Sequence, residues 1–387
     1  MANLPYSRHQ ISEEDIAAVV DVLRSDWLTQ GPTVTAFEEA VAAYCGCRFA
    51  VATNNATAAL HLGCAALGIE PEDSAITSTV TFVASANAPR HCGASIRLTD
   101  VDPVTGLMDL DHLEQLCKET CPDLVIPVHL AGVSVDMARL DSLRKTYGFK
   151  ILEDASHALG ADYRGKKVGN CRHSDAAVFS LHPVKMITAG EGGLLVTNDP
   201  EIARKARQLR EHGIVRDKDA FLAPSNMRGP WHYEVHNTGF NFRLSDIQAA
   251  LALSQLKRLD AFVEERRQIR DAYAEDLDSC FWEIASDPDG TQASLHLCVA
   301  RLSHDTAPHH YRSVFEQLRN AGLHINLHYI PLHRQPIYQN CGDDAAFPGS
   351  SRWARTAISI PCFPGLSADE YSKSVETLNS IAAHTLS

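Results

Sequence analysis

The chain has 387 residues, 45% of them hydrophobic, and a formal net charge of −13. That length can bury a large core and predicts two domains, while the negative charge argues against nucleic acid or an anionic membrane as the main partner, since both need a basic surface. The 11 cysteines are odd in number and scattered, and neither they nor the 19 histidines fall in a metal-ligand spacing, so reduced thiols and no metal site are expected. No apolar run is long enough to span a bilayer and the first residues carry no leader pattern, which predicts a cytoplasmic protein.

In chain order, residues 12–23 read as an amphipathic helix capped by Ser12. The stretch from Trp27 to Pro32 then breaks it. Trp27 there suits a core anchor as well as a ligand contact. Short apolar runs at 49–53, 75–78, 96–99, 124–128, 150–154, 176–180 and 193–197 alternate with helical stretches. That alternation predicts an α/β fold with a mainly parallel seven-stranded sheet covered on both faces.

The ends of these runs carry the candidate chemistry. After the first, Asn54 and Asn55 cap an alanine-rich helix closed by Gly68. The free N–H groups of Ala56 and Thr57, the Thr57 hydroxyl and the helix dipole suit a phosphate dianion, and Ser180 could add a hydroxyl. Phe82 follows the second run, where its ring could stack on a flat heterocycle. The fifth run ends in the acid Asp154, with His157 expected one helical turn further on. Lys166 and Lys167 read as a solvated turn. Past the sixth run lies Lys185, followed from Ala189 to Gly193 by small residues except Glu191, which leaves the backbone free to turn sharply.

Residues 220–235, with Pro224, Ser225, Asn226, Gly229 and Pro230, read as a loop, either a cover for substrate or plain surface. Ser245 and Gln248 form a capping box before a helix expected to run to about Leu259. Beyond it, strands are expected at 295–302 and 325–329 and a terminal helix at 368–382. A lysine and an acid at two strand ends, with a phosphate cradle at a third, are the parts a pyridoxal phosphate enzyme needs. The lysine makes the Schiff base, and the carboxylate keeps the pyridine nitrogen protonated so that the ring draws electrons.

The set Asn55-Ala56-Thr57-Ala58-Ala59-Leu60, Thr81-Phe82, Glu153-Asp154-Ala155-Ser156-His157, Ser180-x-His182-x-x-Lys185 with Gly190-Glu191-Gly192-Gly193, and Gly239-Phe240-Asn241-Phe242-Arg243 resembles the DegT/StrS family of nucleotide-sugar aminotransferases. The resemblance covers essentially the whole chain. It implies a fold-type I enzyme with an N-terminal arm and large domain over 1–245 and a helical linker and small α/β domain over 246–387. Lys185 would be catalytic. Ala56, Thr57, Phe82, Asp154, His157, Ser180 and Lys185 would hold pyridoxal 5′-phosphate, with pyridoxamine 5′-phosphate as its intermediate form. Asn241 would reach the cofactor phosphate of a neighbouring subunit, which implies a homodimer. Trp27 and Thr29 would lie near the site, and His328, Tyr329, His333 and Arg334 would meet sugar or diphosphate.

The segments Leu4-Pro5-Tyr6-Ser7, Ser25 to Pro32 and Leu327 to His333 look most like members that aminate a UDP-linked 4-keto sugar on the route to pseudaminic acid, with L-glutamate as donor. Family members with histidine in place of Lys185 catalyse a dehydration instead, and the lysine here argues against that class. A nicotinamide oxidoreductase would need a Gly-x-Gly-x-x-Gly after an early strand, which is missing. A catalytically idle homologue would be expected to lose Asp154, Thr57 or Lys185. A cysteine desulfurase would want a reactive thiol on a late mobile loop, for which Cys341 and Cys362 give weak support.

Overall fold

The computed structural model describes residues 3–224, 229–303 and 307–386. Ser225 and Asn226 of the expected loop lie outside the described residues. Seven strands form the main sheet: β1 (Phe49–Thr53), β2 (Ser74–Ser78), β3 (Ser95–Thr99), β4 (Leu124–Ile126), β5 (Lys150–Asp154), β6 (Ala176–Ser180) and β7 (Gly193–Thr197). Their order is β1-β7-β6-β5-β4-β2-β3. All neighbours are parallel except around β7, which runs antiparallel to β1 and β6. The fourth strand stops at Ile126 instead of Val128, because Pro127 has no N–H to give to the ladder.

Alternation along the strands explains why both faces are covered. Ala177 and Phe179 of β6 point into one apolar cluster with Phe37, Val41 and Leu140. Ala176 and Val178 point into another, with Ala59, Leu60 and Ala203. A buried strand that feeds two cores must be apolar at every position, and β6 is buried throughout. Such strands read as continuous apolar runs.

A smaller antiparallel sheet joins Trp282–Ile284, Cys298–Leu302 and Ala357–Ile360, with Cys298–Leu302 in the centre. It packs against helices Ala307–Asn320 and Ala368–Leu386 through Val314, Leu318, Leu378 and Ala382. Three expectations are corrected here. The strand expected from 295 starts at Cys298, since Leu295 takes a left-handed φ of 58° that no strand continues through. Residues 325–329 form no strand; Asn326 makes a single bridge to Ser359, and its side chain takes the Leu327 N–H in place of a ladder partner. The helix from Asp246 ends at Leu256, and a second runs Leu259–Asp276; Arg258, at ψ 1°, leaves the helical path with its guanidinium on the buried Asp15.

Lys166 and Lys167, read as a turn, form the second strand of a short hairpin with Asp162–Tyr163. The chain's first strand, Leu4–Pro5, runs parallel to Leu323–His324, and Ser7 Oγ donates to the Val184 carbonyl at 3.1 Å. The Ser12 capping box forms with Asp15, opening helix Glu13–Leu23.

Candidate active site

The carboxyl ends of β1, β5 and β6 open on one edge of the sheet, where ligands bind in open α/β folds. Past β1, Asn55 caps helix Ala56–Ala66 by accepting the Ala58 N–H at 2.8 Å. The Ala56 and Thr57 N–H groups have no acceptor among the described residues and face the cleft. Gly193, the first residue of β7, passes this helix start so closely that a Cβ would lie 2.5 Å from the Asn55 carbonyl and 2.6 Å from the Ala56 nitrogen.

At the end of β5 the buried Asp154 accepts from Ser85 Oγ at 2.6 Å and from the Ser156 N–H at 3.1 Å. Ser85 lies 2.7 Å from Thr81 Oγ1, so the carboxylate is held by a short hydroxyl chain. Past β6, the Lys185 N–H donates to the His182 carbonyl at 2.8 Å, and Nζ stands 3.4 Å from His296 Nε2. Burial pulls the Lys185 amine down to about 8, with the charge of Asp154 acting in the opposite direction.

His157 lies in an irregular turn, not one helical turn past Asp154 as expected. Its Nδ1 accepts the Ala131 N–H at 3.2 Å, and its Nε2 is 3.2 Å from the Tyr329 hydroxyl. Burial pushes this phenol far above its ordinary range. Phe82 stands half-exposed on the wall, its ring 5.9 Å from that of Tyr329.

Ala56, Thr57, Phe82, Asp154, His157, Ser180 and Lys185 thus line one cleft of about 620 Å³, together with His328 and Tyr329. Five expected residues lie elsewhere. Trp27 is half-exposed, and Thr29 bridges to Ser245. Asn241 is exposed and bridges to Glu211. Arg334 grips Asp344 bidentately at 2.8 and 2.9 Å, and His333 binds the same carboxylate. Cys362 is fully buried and Cys341 partly so, and neither lines the cleft.

Sequence reasoning missed His296, Ser85 and Tyr6, the last of which also lines the cleft. Nothing in the sequence points to His296, which falls inside the strand expected at 295–302 and just before the strand that forms. Ser85, in the first turn of helix Ala84–His91, carries no signal of its own either, since its partner Asp154 lies 69 positions away. Together the lining offers backbone donors and a hydroxyl for a dianion, a carboxylate for a cationic ring nitrogen, an aromatic wall, and an amine that is partly uncharged near neutral pH. A phosphorylated pyridine aldehyde fits this set.

Residues 9–379 match the DegT/DnrJ/EryC1/StrS aminotransferase family, and the chain belongs to it. The family depends on pyridoxal phosphate, and solved relatives are known in their pyridoxal and pyridoxamine phosphate forms. The protein is a sugar aminotransferase of this family. It is 35% identical over 384 residues to the spore coat polysaccharide biosynthesis protein SpsC of Bacillus subtilis, covering 98% of this chain and 97% of SpsC. It is 34% identical over 384 residues to the UDP-4-amino-4,6-dideoxy-N-acetyl-beta-L-altrosamine transaminase of Campylobacter jejuni, with the same coverage of each. It also superimposes on Helicobacter pylori PseC, an aminotransferase involved in the biosynthesis of pseudoaminic acid, with a TM-score of 0.90, 30% identity, and coverage of 99% of this chain and 100% of that one.

Proposed function

We propose that this protein moves the amino group of L-glutamate to C4 of a UDP-linked 4-keto-6-deoxy-N-acetylhexosamine, on the cytoplasmic route to pseudaminic acid, with Lys185 as its catalytic residue. The observation that carries the chemistry is Lys185, its amine drawn down to about 8, in one cleft with Asp154 and the open helix start at Ala56. The sugar rests on the likeness to the Campylobacter transaminase and to PseC.

Pyridoxal phosphate, when bound, supplies the electron sink that makes a carbon–hydrogen bond acidic and carries the amino group between half-reactions as pyridoxamine phosphate. The chain does the rest. The Ala56 and Thr57 N–H groups, with the Thr57 and Ser180 hydroxyls, would bind the phosphate. Asp154, fixed by Ser85 and the Ser156 N–H, would hold a proton on the pyridine nitrogen. Lys185 is the amine that would hold the cofactor aldehyde and, when free, would take the proton from the donor's Cα as base and return it as acid. At pH 7 an amine at about 8 is neutral in about a tenth of molecules, far more than an ordinary lysine. Phe82 covers the ring.

Among the described residues lining the cleft, Lys185 is the one Lys or Arg, beside the carboxylates of Asp154 and Glu191. A diphosphate needs positive partners from outside that lining, and a second copy of the chain is the natural source. This supports a homodimer in which the exposed Asn241 serves the partner's cofactor.

The reading is tested by converting the protein to its pyridoxamine form with L-glutamate, then adding each C5 epimer of the UDP-4-keto-6-deoxy-N-acetyl sugar and following the visible spectrum. The pyridoxal absorption should return with the L-arabino sugar alone. Return with only the other epimer moves the pathway and keeps the chemistry. No return with either, after a normal first half-reaction, overturns the sugar. Failure with glutamate overturns the donor.

A further inference from the structure

We propose that His296 is a catalytic residue: its Nε2 is the station that holds the Lys185 amine whenever that amine is free of cofactor, as ammonium and as neutral amine alike. The inference rests on Lys185 being the reacting amine. His296 lies behind the cleft wall, on the segment between Ala293 and the strand Cys298–Leu302, and is 1% exposed. Its Nε2 stands 3.4 Å from Lys185 Nζ, and its ring lies 4.4 Å from that of His157.

The backbone of His296 is pinned from behind. Arg266, on helix Leu259–Asp276, is 1% exposed and donates through Nη1 to the carbonyls of Leu295, His296 and Cys362 at 3.2, 3.3 and 2.6 Å. Among the described residues Arg266 makes no ion pair with a carboxylate. A fixed cation behind the imidazole and Lys185 in front both oppose its protonation. Burial adds the largest push, so His296 stays well below its ordinary range, as do His157 and, at about 3, His328. The charged and titratable groups around the pair are therefore Lys185, Asp154 and Arg266 as ions, with His157, His296, His328 and Tyr329 uncharged.

A neutral imidazole has one N–H and one lone pair, and what its far nitrogen meets decides which faces the near side. In His157 the Ala131 N–H takes the Nδ1 lone pair, which fixes a proton on Nε2 toward Tyr329. In His296 the buried Nδ1 has no partner among the described residues. Nothing locks its tautomer. With the lone pair on Nε2 it accepts from the ammonium, and with the proton there it donates to the neutral amine. An unpaired buried nitrogen is costly. At this position it leaves the ring able to serve both states of a lysine that must alternate between them.

The test uses cofactor-free protein. Lys185 is labelled with a small acylating reagent across pH 6–10 and its peptide quantified by mass spectrometry, in the parent, H296L and H296Q, with melting temperature as the control for folding. The parent should show a midpoint of about 8. H296L, which leaves the ammonium without its acceptor, should fall by about one pH unit, a tenfold change in neutral amine at a given pH. H296Q, whose amide both accepts and donates, should stay nearer the parent. A merely structural histidine would lower the melting temperature and leave the midpoint in place, and coincident profiles for parent and H296L overturn the proposal. Should H296L not fold, nitrogen-15 NMR of the parent decides: the His296 Nε2 resonance should shift as Lys185 titrates, and a constant resonance from pH 7 to 9 overturns it. Neither measurement needs glutamate or sugar. Borohydride reduction of the loaded protein with peptide mapping separately shows whether Lys185 is the reacting amine.

Discussion

At the scale of single residues, a lysine that is easier to deprotonate when folded links stability to pH. The Lys185 amine falls from 10.5 to about 8 on burial, so between those values the unfolded chain holds more protons than the folded one. Stability of the cofactor-free protein should therefore rise with pH across this window, and the contribution is least favourable below about 8. Lys185→Met should flatten that rise in denaturant midpoints measured from pH 8 to 10, and parallel curves for the two proteins would show that the amine is well solvated. Ser85→Ala removes a 2.6 Å donor from the buried Asp154 and should cost about 1–2 kcal/mol in urea unfolding; an unchanged midpoint would mean that water replaces the hydroxyl. Asp154 and Lys185 were legible in the sequence because one ends a short apolar run and the other follows one closely. Ser85 and His296 were not: their partners lie 69 and 111 positions away, and only the assembled sheet joins them.

At the scale of elements, the meeting of β7 with the start of helix Ala56–Ala66 sets the cradle. A methyl group on residue 193 would push the Asn55 carbonyl and the Ala56 nitrogen aside. Gly193→Ala should weaken cofactor binding at least tenfold in a fluorescence titration and cost about 1–3 kcal/mol of stability. Wild-type affinity in this variant would mean that the phosphate does not depend on that helix start. Central strands such as β6 were readable because two cores demand apolar residues along nearly their whole length. The strand expected over 325–329 was misread because Ile325, Leu327 and Tyr329 alternate with polar residues as a half-buried strand does, while the side chain of Asn326 diverts the backbone. The break at Arg258 was invisible locally, since its partner Asp15 sits in another helix.

At the scale of the molecule, a shared site makes a prediction that no single chain can satisfy. If Asn241 serves the partner's cofactor, Lys185→Ala and Asn241→Ala proteins, each inactive or nearly so, should restore activity to each other after mixing and subunit exchange. Random pairing makes half the dimers mixed, each with one intact site, so recovery should approach about a quarter of the parent activity. No recovery, with exchange shown by mass spectrometry, would place both residues in the same subunit's site. The N-terminal strand reaches further still. Leu4 pairs with Leu323, Ser7 with the Val184 carbonyl, and the Tyr6 carbonyl takes the Cys362 N–H. On the ribosome, those first residues emerge long before their partners exist, and such distant contacts form late. The wall that Tyr6 gives the cleft cannot stand until residue 362 has been synthesised, so a nascent chain can fold its sheet around Lys185 and still lack a finished place for the cofactor.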